Sequence, residues 1–353
     1  MRIFDLIIDF PLGFLMIEVE IKRLHLKHAW TISRNSSQFK DNVFVKLKKD
    51  GVTGLGEAAP NVRYGESAEL TLDKIKQVKD IYEISDWFDY QRIKTILDEQ
   101  ITDQSCAKAA LDMALLDWNS KVKKIPLHKF LRIELSQIPL TSLSIGIDSP
   151  EIIKQKIIEA QEFPILKIKL GIKGDELIMD NIRKITDKPI RVDANEGWKS
   201  KEEALEKIKW LEKMNVEFIE QPMPSTMIKE SAWLKEKSAL PIIADEAVKT
   251  TADIPAIAKA YDGINIKLMK SGGIQEALKM IRVARAANLK IMLGCMIESS
   301  LAISAAAQLA SFADWLDLDG NLLIDNDPFS GIKIEKGQLI YNDQPGIGVS
   351  RIF

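Results

Sequence analysis

The sequence predicts an α/β fold: a (β/α)7β TIM-like barrel with an α+β capping domain formed by the N-terminal region and the C-terminal tail. After Pro139, short apolar runs alternate with amphipathic segments such as 201–214 and 273–287, the grammar of βαβ units. The runs are SLSIGI, ILKIKL, IRVDAN, VEFIEQP, PIIADE, GINIKL, KIMLGCM and WLDLDG. These eight recur every 22–28 residues between Ser144 and Asp317, close to one β/α unit apiece, and eight is the number a closed parallel barrel requires. A doubly wound open sheet would want a glycine-rich phosphate turn after its first strand, and that turn is absent.

Residues 1–15 are apolar, but Asp5, Asp9 and Pro11 interrupt the run and no small-residue cleavage site follows, so they read as an extension rather than a signal peptide. From Met16, Ile17, Val19 and Ile21 alternate with Glu18, Glu20 and Lys22, the period of a half-buried strand. Strand patterns cover 16–26 and 42–48, a turn falls at Lys49-Asp50-Gly51, and helical patterns follow near 67–82, 88–99 and 104–120. The cap is thus expected over 1–138 and the barrel over 139–320. The tail, 321–353, carries turn signals and the alternation of Ile332 and Ile334, and is expected to leave the barrel and pack back on the cap.

At 353 residues with 46% hydrophobic content, 18 Gly and 13 Pro, the chain can bury a large core and is neither fibrous nor disordered. Its 49 Lys and Arg against 51 Asp and Glu leave a net charge of −2, no global field for nucleic acid or an anionic membrane. No uninterrupted apolar stretch is long enough to span a bilayer. A cytoplasmic protein acting on a small molecule is expected. Homo-oligomerization suits such barrels, but nothing identifies an interface. Two cysteines, Cys106 and Cys295, make no disulfide scaffold. His25, His28 and His128 all precede the barrel, so acid–base chemistry there must use lysines or carboxylates.

In a barrel strand, polar side chains should point inward or toward the C-terminal mouth. Lys167 and Lys169 share one face of their strand, with Leu166, Ile168 and Leu170 on the other. An isolated Lys-x-Lys would read better as a solvated edge, but these flanking aliphatics argue against that. The next three strands end in Asp193, Glu220 and Asp245. Three converging carboxylates repel one another unless a cation sits among them, and an all-oxygen set favours Mg²⁺. Strand six supplies Lys267, diametrically opposite Lys169 in an eight-strand ring. Two lysines so placed can take a proton from one face of a carbon and return it to the other, with neighbouring cations pushing their pKa values down toward working pH. The expected reaction is α-proton abstraction beside a carboxylate through a metal-stabilised enediolate. Asp317 and Asp319 put two carboxylates at the mouth, where they suit an ammonium group or form a polar strand end facing water.

KIK at 167–169, RVDANEGW at 191–198, EQP at 220–222, ADE at 244–246, NIKLMKSGG at 265–273 and GCMIES at 294–299 together resemble the enolase superfamily. The likeness runs from about residue 16 to the end, includes GLGEAAP at 54–60, and is nearest the muconate-lactonizing branch. It implies Lys169 and Lys267 as the acid–base pair, Lys167 as their electrostatic partner, and Asp193, Glu220 and Asp245 as Mg²⁺ ligands. DLDG at 317–320 resembles the Asp-x-Asp motif of dipeptide epimerases, which implies that Asp317 and Asp319 hold the substrate ammonium. It further implies that Ser144, Lys167, Cys295, Met296 and Ile297 contact the dipeptide. Arg34 stands where the Ala-Glu epimerases of this family carry an arginine, which implies a partner for a glutamate side chain. The expected activity is isomerase: epimerization of the C-terminal residue of a dipeptide, L-Ala-L-Glu to L-Ala-D-Glu first. The rivals are epimerization of other dipeptides, cycloisomerization or o-succinylbenzoate synthesis, and a silent small-molecule-binding barrel. Ser271-Gly272-Gly273 is expected to serve packing rather than phosphate binding.

Overall fold

Alternating side chains make an antiparallel ribbon of β1 (Met16–Thr31) and β2 (Ser36–Lys49), with a register shift between His25 and Trp30. The computed structural model describes residues 16–352, so the extension expected at 1–15 lies outside the described residues. Both strands run further than the patterns at 16–26 and 42–48 indicate, and only 32–35 remain as a turn between them. At Asp50-Gly51, φ is 51° and 73° and Lys49 pairs with Val52, a two-residue turn of the primed type that leads into β3 (Val52–Ala58).

Helices α1 (Ala68–Gln77), α2 (Lys79–Ile84), α3 (Tyr90–Gln100) and α4 (Ser105–Val122) complete the cap. The single helix expected near 67–82 is thus two. Strand β3 was hidden in the sequence because Gly54 and Gly56 break its alternation. A Cβ at either would collide with the α4 backbone at Ala114 or Ala110, so the glycines permit that close approach.

The barrel strands are β4 (Leu143–Ile145), β5 (Leu166–Lys169), β6 (Ile190–Asp193), β7 (Val216–Glu220), β8 (Ile242–Ala244), β9 (Gly263–Lys267), β10 (Lys290–Gly294) and β11 (Trp315–Asp317). They pair in parallel in chain order. Thr141 bridges Leu316, and the Ser142 N–H donates to Leu316 O at 3.1 Å, joining last strand to first. Alternate residues divide into two sets. Val192, Ile219, Ala244 and Ile266 belong to the main apolar core, whereas Phe218, Ile243 and Met292 form a separate cluster with Trp315. Two residues on from each of these four, the same faces carry Glu220, Asp245, Gly294 and Asp317. An apolar plug therefore underlies a charged layer at the mouth.

Buried carboxylates tie cap to barrel. Asp112 of α4 accepts the N–H groups of Ile274 and Gln275 at 2.6 and 3.1 Å, capping the helix Ile274–Ala286. The helix start beside Gly272-Gly273 therefore already holds an anion, from the protein itself. Glu57 of β3 accepts from Asn42 Nδ2 at 2.8 Å, from Ser299 N at 2.9 Å and from Ala302 N at 3.2 Å. Asp117 accepts from Leu55 N at 2.8 Å and from Ile347 N in the tail at 2.7 Å. The tail also bridges Ile324 to Leu26 and sets Phe329 against Phe44 with ring centroids 5.6 Å apart. Among the described residues no helix is long and apolar enough to cross a membrane.

Candidate active site

The charged layer at the mouth is built from strand ends. Lys169 Nζ donates to Asp193 Oδ2 at 2.5 Å, and Lys267 Nζ donates to Asp245 Oδ2 at 2.8 Å. Asn265 Nδ2 donates to Glu220 Oε1 at 2.7 Å. Lys167 Nζ lies 2.6 Å from Asp317 Oδ2, 2.7 Å from Glu220 Oε2 and 3.4 Å from Asp193 Oδ2. The chain bends sharply after two of the carboxylates. Asn195, Glu196 and Gln221 have φ of 45°, 64° and 37°, strained for non-glycine residues and held by surrounding bonds. Among these bonds are Asn195 N to Asp193 Oδ1 at 2.9 Å and Asp245 N to Gln221 Oε1 at 2.9 Å.

Asp193, Glu220 and Asp245 each present an oxygen within 4.8 Å of the others, and all three are buried. Burial alone would raise their pKa values, but Lys169 and Lys167 hold Asp193 below its usual range, and Lys267 and Lys270 hold Asp245 well below. Glu220, buried and beside Asp193, stays raised. Its Oε2 has no aligned hydrogen bond although Lys167 is near. A buried all-oxygen donor set with one carboxylate oxygen unsatisfied fits a hard divalent cation.

The lysines of this layer are shifted by the same charges. Burial and Lys167 push the Lys267 pKa down. Asp245 and Glu220 outweigh them and hold its ammonium well above the ordinary value. Lys167 is likewise raised: burial depresses it, but Asp317, Glu220 and Asp193 prevail.

Above this layer, under the cap, lies a cavity of about 110 Å³. Arg34, Ser144, Lys169, Lys267, Cys295, Met296, Ile297, Asp317 and Asp319 all line it, as does Asp245. Lys167, Asp193 and Glu220 sit beneath it. Lys167 in particular is 0% exposed, its ammonium held among three carboxylates. Asp317 accepts from Ser142 Oγ at 2.9 Å and Ser144 Oγ at 3.1 Å. Its burial is outweighed by Lys167 and Lys169, which hold its pKa at about 2. Asp319 accepts from Ser144 N at 2.6 Å, and burial and the Asp317 charge push it up to about 7.

Arg34 is more engaged than a loop arginine would be. Its Nη1 donates to Asn195 O at 2.7 Å and Glu196 Oε2 at 2.9 Å, and its Nη2 donates to Glu246 Oε1 at 2.6 Å. Arg63 donates to the two oxygens of Glu196 at 2.9 and 3.0 Å.

Several site residues escaped the sequence reading. Lys270 is buried and bonds Asp245 O at 2.6 Å, Asn265 O at 3.0 Å and the Asp245 carboxylate. A charge in the otherwise apolar LMKSGG run was the available signal. Glu246 could have been found from the Asp-Glu doublet, and Ser142 from its period-two spacing to Ser144. Trp30, whose ring centroid lies 5.7 Å from Lys169 Nζ, along with Lys40 and Arg63, comes from the cap and carries no local signal.

Residues 16–131 match the family description "Mandelate racemase / muconate lactonizing enzyme, N-terminal domain", and residues 153–351 match "Enolase C-terminal domain-like". The chain is similar to the L-Ala-D/L-Glu epimerase of Bacteroides thetaiotaomicron, 42% identical over 330 residues that cover 93% of this chain and 86% of that one. It is also 42% identical to the L-Ala-D/L-amino acid epimerase of Pedosphaera parvula, over 91% of this chain and 94% of that one. Among solved structures, the dipeptide epimerase from Cytophaga hutchinsonii complexed with Mg and D-Ala-L-Val superposes with a TM-score of 0.90 at 27% identity, over 97% and 96% of the two chains. With matches that span both the cap and the barrel, the chain belongs to the mandelate racemase/muconate lactonizing enzyme family of the enolase superfamily.

Proposed function

We propose that this chain is a Mg²⁺-dependent dipeptide epimerase that inverts the α-carbon of the C-terminal residue, with L-Ala-L-Glu and L-Ala-D-Glu as the leading pair. The observation that carries it is the separate pairing of two lysines: Lys169 with Asp193 and Lys267 with Asp245, at 2.5 and 2.8 Å. Two amines so held flank the carboxylate trio and can reach one carbon from two sides. The names of the relatives, epimerases acting on dipeptides, support the same reading.

Asp193, Glu220 and Asp245 would hold the ion, which supplies positive charge to the substrate carboxylate as that group gains negative charge. The neutral amine of one lysine removes the α-proton and becomes ammonium; the other, already ammonium, delivers a proton to the opposite face and becomes amine. The roles exchange in the reverse direction, and nothing is consumed. Lys167 holds Asp317 and Glu220 in place from below. Asp317 and Asp319 bind the substrate ammonium, and the cap, from β1 to α4 with the tail after Asn321, closes the site against water. The division into cap 1–138, barrel 139–320 and tail 321–353, and a cytoplasmic location, belong to this reading.

The test is solvent exchange. In D₂O with Mg²⁺, L-Ala-L-Glu should gain one α-deuterium as L-Ala-D-Glu appears, read by mass spectrometry and NMR. Loss of water, a cyclic isomer, or no exchange in any dipeptide would overturn the proposal.

A further inference from the structure

Three cap cations line the cavity above the barrel mouth: Arg34, Lys40 and Arg63. Two of them are neutralised within the protein, because Arg34 is held by Glu196, Glu246 and a carbonyl and Arg63 by both oxygens of Glu196. Lys40 differs. It is partly buried on β2, paired in register with buried Leu24, and two residues from Asn42, whose Nδ2 donates to Ile297 O at 3.1 Å at the cavity edge. Period-two geometry puts Lys40 on the same face as Asn42. Among the described residues its ammonium has neither an ion-pair nor a hydrogen-bond partner, and burial alone acts on it, pushing its pKa below the ordinary value.

This inference rests on the epimerase reading. In that reading the substrate α-carboxylate lies at the cation site and the ammonium at Asp317 and Asp319. A dipeptide with an acidic side chain brings one further negative group, and a carboxylate led under the cap without a counter-charge is costly to desolvate. We infer that Lys40 is the specificity-determining residue for an acidic side chain on the dipeptide, its ammonium pairing with that side-chain carboxylate. Arg34 is then a positioning residue that braces the β1–β2 turn against the chain following β6 and β8.

The experiment compares kcat/KM for L-Ala-L-Glu with that for its neutral isostere L-Ala-L-Gln, and for L-Glu-L-Ala with L-Gln-L-Ala, in Mg²⁺-loaded enzyme. The wild type should prefer the acidic member of at least one pair, and Lys40→Met should lower that preference about 10- to 100-fold, the span of a charge-assisted hydrogen bond. Lys40→Arg should keep the preference and Lys40→Glu should invert it. The pair affected tells which residue of the dipeptide carries the recognised carboxylate. Arg34→Met should slow both members of a pair together. A ratio unmoved by Lys40→Met, or one that collapses in Arg34→Met instead, overturns the assignment. A wild type that epimerizes Glu and Gln dipeptides equally well, or other dipeptides but neither of these, overturns Lys40 alone; one that exchanges the α-proton of no dipeptide overturns the underlying reading as well.

Discussion

Lys167 Nζ stands 2.6 Å from Asp317 Oδ2, an ammonium from β5 against a carboxylate from β11, 150 residues apart in the chain. Both groups are buried, and between their strands Ser144 of β4 and Ser142 just before it donate to the same carboxylate. Removing the ammonium would leave Asp317 and Glu220 without their shared counter-charge. Lys167→Met should therefore cost about 3–5 kcal/mol of stability, the usual penalty for stranding a buried charge, read as a lower urea midpoint. An unchanged midpoint would show that the contact is not stabilising.

The two outer lysines should separate the two halves of the reaction. Lys169→Met and Lys267→Met should each reduce epimerization by about 10³-fold or more. Each variant should retain α-deuterium exchange with only one of L-Ala-L-Glu and L-Ala-D-Glu, and the two variants should retain it with opposite isomers. Full turnover in either variant refutes the two-base mechanism.

Ion binding can be read without turnover. Since only the folded trio forms the site, Mg²⁺ at 100 times its dissociation constant should add about 2.7 kcal/mol to stability by mass action, seen as a rise in Tm. Chelation with EDTA should remove that rise. In Glu220→Gln, which lacks one ligand charge, added Mg²⁺ should leave Tm nearly unmoved.

Glu57 links stability to pH. Burial outweighs its four hydrogen-bond donors and pushes its pKa from 4.5 up to about 7. The folded state holds the proton more tightly than the unfolded chain, so its contribution is fully present below about pH 4.5, shrinks as pH rises and is lost above about pH 7. That window corresponds to about 3 kcal/mol. Glu57→Gln lacks this term, so its stability relative to wild type should rise by that amount between pH 4.5 and 7, measured as paired urea midpoints. Parallel curves would mean that Glu57 is already ionised in the folded protein.

Barrel strands were legible because each buries both faces: Leu166, Ile168 and Leu170 around Lys167 and Lys169 leave few other readings, and their spacing repeats. The cap was less so. Strand β3 reads as a glycine-rich turn until α4 is laid across Gly54 and Gly56, and the single helix expected near 67–82 breaks at Val78.

The sequence alone determined which strands line the barrel, which ends carry lysine or carboxylate, and that an oxygen-rich cation site is the economical way to gather Asp193, Glu220 and Asp245, since period, spacing and residue chemistry are local properties. Only the tertiary structure decided how the charges are shared. It set Lys167 among three carboxylates, placed Asp245 and Glu220 against Lys267, tied Arg34 to Glu196 and Glu246, and left Lys40 without an ion-pair partner among the described residues. Electrostatic energies depend on distances between groups far apart in sequence and on the water excluded around them, and neither exists until the cap is seated on the barrel.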